Sequence, residues 1–156
     1  QDAFGQAVLI DCHSMPHEAI EAHARPGQPK PEVVLGDRFG AASGRDVMEQ
    51  VEAAFAGAGF RVVRNAPFAG AYIAQAYGRP SRGCHVVQVE IDRALYMDEA
   101  RIVPSAGFDG FRAVMAGVVG ELARIGQQGL PAAPRARLHA ASSRVPGLRR
   151  GIAGAT

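Results

Sequence analysis

Only two cysteines, Cys12 and Cys84, occur in 156 residues, too few for a disulfide framework. No run approaches the roughly 18 consecutive apolar residues that a membrane-spanning helix needs, so no membrane partner is expected. No secretory leader is visible, and the chain opens at Gln1 and runs almost at once into the apolar residues 7–10. Such an opening is expected of a chain cut inside a larger protein, and a reducing, cytoplasmic setting is the matching expectation. Acidic residues stop at Glu121, whereas Arg135, Arg137, Arg144, Arg149 and Arg150 all lie beyond residue 130. Removing those five from 17 basic residues leaves 12 against 15 acidic ones, so the formal charge of +2 conceals a mildly acidic body. Residues 131–156 are rich in Ala, Pro and Gly and carry no aromatic ring on which a base could stack. They read as a disordered basic tail, and no nucleic-acid partner is expected.

What is present suits one globular core, with 47% hydrophobic and 21% charged residues. Residues 7–10 (Ala-Val-Leu-Ile) read as a buried strand, and residues 33–35 and 60–65 as two more. Five punctuating residues, Pro16, Pro26, Gly27, Pro29 and Pro31, make residues 16–31 a long loop. Ser43 followed by Asp46 resembles a capping box, and Val47, Met48, Val51, Phe55 and Ala58 then share a helical face over about residues 44–57. Along residues 85–92, Val86, Gln88, Glu90 and Asp92 alternate with His85, Val87, Val89 and Ile91, which makes a strand with one apolar face. Phe108, Phe111, Val114, Met115, Val118, Val119, Leu122 and Ile125 keep helical spacing as far as Gly126. Strands alternating with helices predict an α/β fold, a mostly parallel sheet with flanking helices over residues 1–130.

Ligands of open α/β sheets gather beyond the strand ends, and polar residues stand at four of those ends. His13 closes the first strand with Asp11 two positions back on the same face, the arrangement of a metal ligand with an orienting carboxylate. A hydrogen-bonded surface histidine would satisfy the same pattern. Glu90 interrupts an apolar run, where a carboxylate is costly unless it faces a cleft, a cation or a metal. It can be a general base, or an ion-pair partner of Arg93 or Arg38. Those two arginines are the natural anion binders, because a guanidinium pairs bidentately with a carboxylate. Cys12-His13 and Cys84-His85 do not make a four-ligand zinc set, since neighbours on a strand point to opposite faces. His17, Glu18 and His23 read as loop residues.

Several uncommon words in order carry a resemblance. They are Leu9-Ile10-Asp11-Cys12-His13-Ser14-Met15-Pro16, then Val34-Leu35-Gly36-Asp37-Arg38-Phe39-Gly40, then Asn65-Ala66-Pro67-Phe68-Ala69-Gly70. Tyr77-Gly78-Arg79-Pro80 follows, and then Gln88-Val89-Glu90-Ile91-Asp92-Arg93-Ala94-Leu95-Tyr96-Met97-Asp98-Glu99. Over roughly residues 7–125 the chain resembles the C-terminal part of the N-formylglutamate amidohydrolase family. The resemblance implies an incomplete zinc-carboxypeptidase-like (phosphorylase/hydrolase-like) fold and a zinc held by a His and a Glu from an earlier segment plus a later His. It implies that His13 is that later ligand, that Glu90 is the catalytic glutamate, and that Arg38, Asn65, Arg93 and Tyr72 bind substrate. The implied reaction is hydrolysis of N-formyl-L-glutamate to L-glutamate and formate, a step of histidine breakdown. Another acyl-amino-acid amidohydrolase or a carboxypeptidase-like enzyme would share the scaffold, and a truncated non-catalytic product is a third expectation. With two metal ligands expected upstream, this polypeptide alone is expected to be inactive.

Overall fold

The computed structural model describes residues 4–21, 23, 27 and 29–125, so the expected tail lies outside the described residues. One sheet contains β1 (Ala7–Met15), β2 (Val33–Gly36), β3 (Val62–Arg64) and β4 (Cys84–Asp92) in the order β1-β4-β2-β3. Helices α1 (His17–Glu21), α2 (Arg45–Gly57), α3 (Tyr72–Tyr77) and α4 (Phe108–Leu122) flank it. A short antiparallel ribbon, β5 (Met97–Asp98) with β6 (Val103–Pro104), leads into α4.

Two of the three pairings in the main sheet, β1 with β4 and β2 with β3, are parallel. This is the mostly parallel α/β sheet that the alternation of strands and helices predicts. The central join departs from it, because β2 runs antiparallel to β4, with Val33 opposite Ile91 and Gly36 opposite Gln88. The carboxyl ends of β2 and β3 therefore point away from those of β1 and β4, and the expected convergence of four strand ends does not occur. Strand direction leaves no trace in side-chain alternation, and β4, last of the four in sequence, inserts in the middle of the sheet.

The larger core fills one face. Val87, Val89 and Ile91 of β4 meet Val33 and Leu35 of β2 and the stripe Val47, Met48, Val51 and Phe55 of α2. Each such side chain, fully buried, contributes on the order of 1.5–3 kcal/mol. The start of α2 differs from the expected capping box. Gly44 is the N-cap, Ser43 Oγ donates to the Gly44 carbonyl, and the Gly44 N–H donates to Nδ1 of the buried His85 at 2.9 Å. On α4 the apolar stripe is wider than the packed face, for Val114 and Val119 stay 42% and 58% exposed while Val118 is buried.

The other face carries two smaller apolar clusters. Met15, Ile20 and Val34 form one, and Ala42, Ala74 and Val86 the other. Ile20 belongs to α1, which corrects the reading of residues 16–31 as wholly irregular. Pro16 stands just before the first helical turn, where no backbone N–H is required, and its carbonyl accepts from the Ala19 N–H at 3.0 Å. Between these two clusters the strands present polar side chains.

Candidate functional site

In the parallel pair β1 and β4, His13 is opposite Glu90 and Asp11 is opposite Gln88. Cross-strand partners of a parallel pair share a face at a strand spacing of about 4.8 Å, so the four side chains form a two-by-two polar block. His13 Nε2 lies 3.0 Å from Asp11 Oδ1, the orienting contact that the i, i+2 spacing predicts. The imidazole is about half exposed, and its Nδ1 is the ring nitrogen that Asp11 leaves free. Glu90 is partly buried and accepts from Gln88 Nε2 at 2.9 Å. Burial pushes its carboxyl above the ordinary glutamate value and the nearby Asp11 charge adds to this; His13, the Gln88 bond and Arg93 oppose it without cancelling it.

Arg93 donates from Nε to Ser14 Oγ and from Nη2 to the Ser14 carbonyl, both at 3.3 Å, so it pins the end of β1 and forms no ion pair with Glu90. Asn65, in the left-handed region at φ 58°, spends its amide on its neighbours. Its Nδ2 donates to Asp37 Oδ1 at 2.9 Å, and its Oδ1 accepts from the N–H groups of Asp37 and Phe39 at 3.1 and 3.2 Å. That clamp holds the turn in which Arg38 and Phe39 take φ 56° and 57°. The Arg38 N–H donates to the Ala69 carbonyl at 2.6 Å, which ties this turn to residues 66–71. Tyr72 opens α3 at 73% exposure, on the rim.

The structure thus brings His13 and Glu90 together along β1 and β4, sets Arg93 against Ser14 near the end of β1, and places Arg38 and Asn65 in a second group around the end of β2. Gln88 joins the two, and sequence reasoning passed it over. It is 4% exposed, and its Oε1 accepts from the Ala71 N–H at 2.7 Å while its Nε2 serves Glu90. The signal was its place on the polar face of β4, beside Glu90. His17 was also set aside as a loop residue, yet its Nδ1 lies 2.7 Å from Oδ2 of the buried Asp92, and its N–H reaches Glu99 Oε1 at 3.2 Å.

Among the described residues no group of three or more His, Cys, Asp and Glu side chains could hold a metal ion. Cys12 and His13 project to opposite faces, and His85 lies in the core side against Gly44. Two grooves of about 570 and 700 Å³ occur among the described residues, one between α2 and α4 and one beside Asp37 and Asn65. Neither is lined by His13 or Glu90, which stand on an open part of the sheet beside its edge strand β1. No helix of the described residues is long and apolar enough to cross a membrane.

The model of the N-formylglutamate amidohydrolase family matches residues 1–97. An N-formylglutamate deformylase of Pseudomonas aeruginosa is 36% identical over 97 residues, 62% of this chain and 35% of that relative. One from Pseudomonas putida is 33% identical over 100 residues, 64% of this chain and 36% of the relative. The crystal structure of an N-formylglutamate amidohydrolase from Ralstonia eutropha superposes with a TM-score of 0.70 at 30% identity, covering 81% of this chain and 45% of that one. The chain spans about a third of the length of these curated relatives.

Proposed function

Because this chain belongs to the N-formylglutamate amidohydrolase family, we propose that it contributes His13 and Glu90 to the hydrolysis of N-formyl-L-glutamate into L-glutamate and formate. The observation that supports this most is the pairing of His13 with Glu90 on one sheet face, between two apolar clusters. A carboxyl whose proton affinity is raised by burial is suited to take a proton from water and return it to the leaving amine. Arg38 and Arg93 supply positive charge for the two carboxylates of the substrate. Asn65 serves the same site by holding the Arg38 turn, and Tyr72, exposed at the start of α3, is a further substrate contact on this reading.

Zinc belongs to this proposal, and the described residues fit it only in part. His13, backed by Asp11, has the form of one ligand with its orienting carboxylate. A catalytic zinc normally takes three protein ligands, and no such group is present among the described residues. The remaining two are expected on a segment upstream of Gln1, in a zinc-carboxypeptidase-like arrangement. What the metal supplies when bound is polarisation of the formyl carbonyl and a more acidic water. On this reading the polypeptide by itself is inactive. The exposed Leu9 on edge strand β1 and the short span of the relatives' length favour the same view. Cytoplasmic histidine breakdown is the setting that goes with this substrate.

Expressing the chain with its upstream reading frame and assaying formate release tests the proposal. N-formyl-L-glutamate is expected to be turned over faster than formyl-aspartate, acetyl-glutamate or succinyl-glutamate, since the pocket matches acyl size and side-chain length. Preference for an acetyl or succinyl group would assign the site to another acyl-amino-acid amidohydrolase.

A further inference from the structure

Gly36 ends β2 opposite Gln88, and a Cβ there would lie 2.5 Å from the Gly70 nitrogen, 2.6 Å from the Ala69 carbonyl carbon and 2.9 Å from the Phe68 oxygen. All three are backbone atoms. The turn at residues 68–70 therefore rests directly on the sheet, and only a glycine beneath it allows that approach. Seated there, the turn delivers two backbone groups in opposite directions. The Ala69 carbonyl accepts from the Arg38 N–H, and the Ala71 N–H donates to Gln88 Oε1. A backbone N–H can only donate, so the Gln88 amide must face it with oxygen and must turn its NH₂ toward the Glu90 carboxylate. Gln88 is 4% exposed, so water does not compete for either bond.

We infer that Gln88 is a positioning residue that couples the orientation of the Glu90 carboxylate to the seating of the 68–70 turn, to which the Arg38 backbone is tied. The inference rests on the hydrolase reading for the role of Glu90, but the coupling itself requires neither metal nor substrate. A merely structural glutamine would fill space between α3 and the sheet and would transmit nothing from Glu90 to Ala71. This coupling makes an anion held at Arg38 and a base held at β4 parts of one unit, although they sit at opposite ends of antiparallel strands.

Amide NMR on the isotopically labelled chain tests the coupling. With Gln88 intact, Glu90→Ala is expected to shift the Ala71 amide and to speed exchange of a Gln88 side-chain N–H by about three- to tenfold, the loss of one hydrogen bond. Gln88→Leu is expected to move the Ala71 amide upfield and to abolish its response to Glu90→Ala. Gln88→Met, close in length and without the amide, is expected to give the same loss of response while keeping the packing. An Ala71 amide that ignores Glu90→Ala, or that responds equally with Gln88 replaced, would overturn the inference. Formate release fails independently: a coupled chain that yields no hydrolase with its upstream frame contradicts the enzymatic reading alone.

Discussion

In Glu90 partial burial opposes the charge that its proposed role as a base requires. Replacing it with glutamine in an active form of the protein is expected to lower kcat by about 10²- to 10⁴-fold with a smaller effect on KM, as for loss of a general base. Its raised pKa sets the pH dependence. The base form appears as pH rises through the folded value, so the acid limb of kcat/KM is expected above the ordinary glutamate value of about 4.3. Stability runs the other way. The folded state binds the proton more tightly than the unfolded chain, so this contribution is full below the unfolded pKa and is lost as pH rises through the folded one. Thermal melts at pH 7 are therefore expected to show Glu90→Gln at least as stable as the parent. At this scale the polarity of Glu90 within an apolar strand and the i, i+2 spacing of Asp11 and His13 were legible, and the structure sets His13 opposite Glu90. The sequence did not reveal that the amide of Asn65 is already committed, because its partner Asp37 lies 28 residues away and its positive φ is a property of the folded turn.

Among the elements, β4 was the most legible, since its alternation separates Val87, Val89 and Ile91 from Gln88 and Glu90 as the structure does. The direction of β2 was not, and with it went the expected gathering of Arg38 and Asn65 with His13 at one sheet end. The short helix α1 escaped notice because proline and glycine crowd the residues after it, while its own five residues need only one buried contact, Ile20. The seat of the 68–70 turn on β2 gives a sharp expectation at this scale. Gly36→Ala places a methyl group against fixed backbone and is expected to cost about 1–3 kcal/mol or more, read as a lower urea midpoint with unchanged slope. Phe55→Ala, which empties the C-terminal end of the buried α2 face, is expected to cost about 3–5 kcal/mol by the same measurement.

For the molecule as a whole, the ordered words of the sequence carried the family, and the alternation of strand and helix patterns carried the α/β class. Neither could specify the sheet order, because inserting β4 between β1 and β2 depends on contacts distant in sequence. The basic residues beyond 130 lie outside the described core, and deleting residues 131–156 is expected to leave the melting temperature and any metal binding unchanged. On the proposed reading the chain contributes His13 and Glu90 to a deformylase site, and no complete set of metal ligands is present among the described residues. Formate release from N-formyl-L-glutamate by these 156 residues, supplied with one equivalent of zinc, tests it most directly. The account predicts no release above the uncatalysed background, whereas turnover by a chain holding one tightly bound zinc would contradict it.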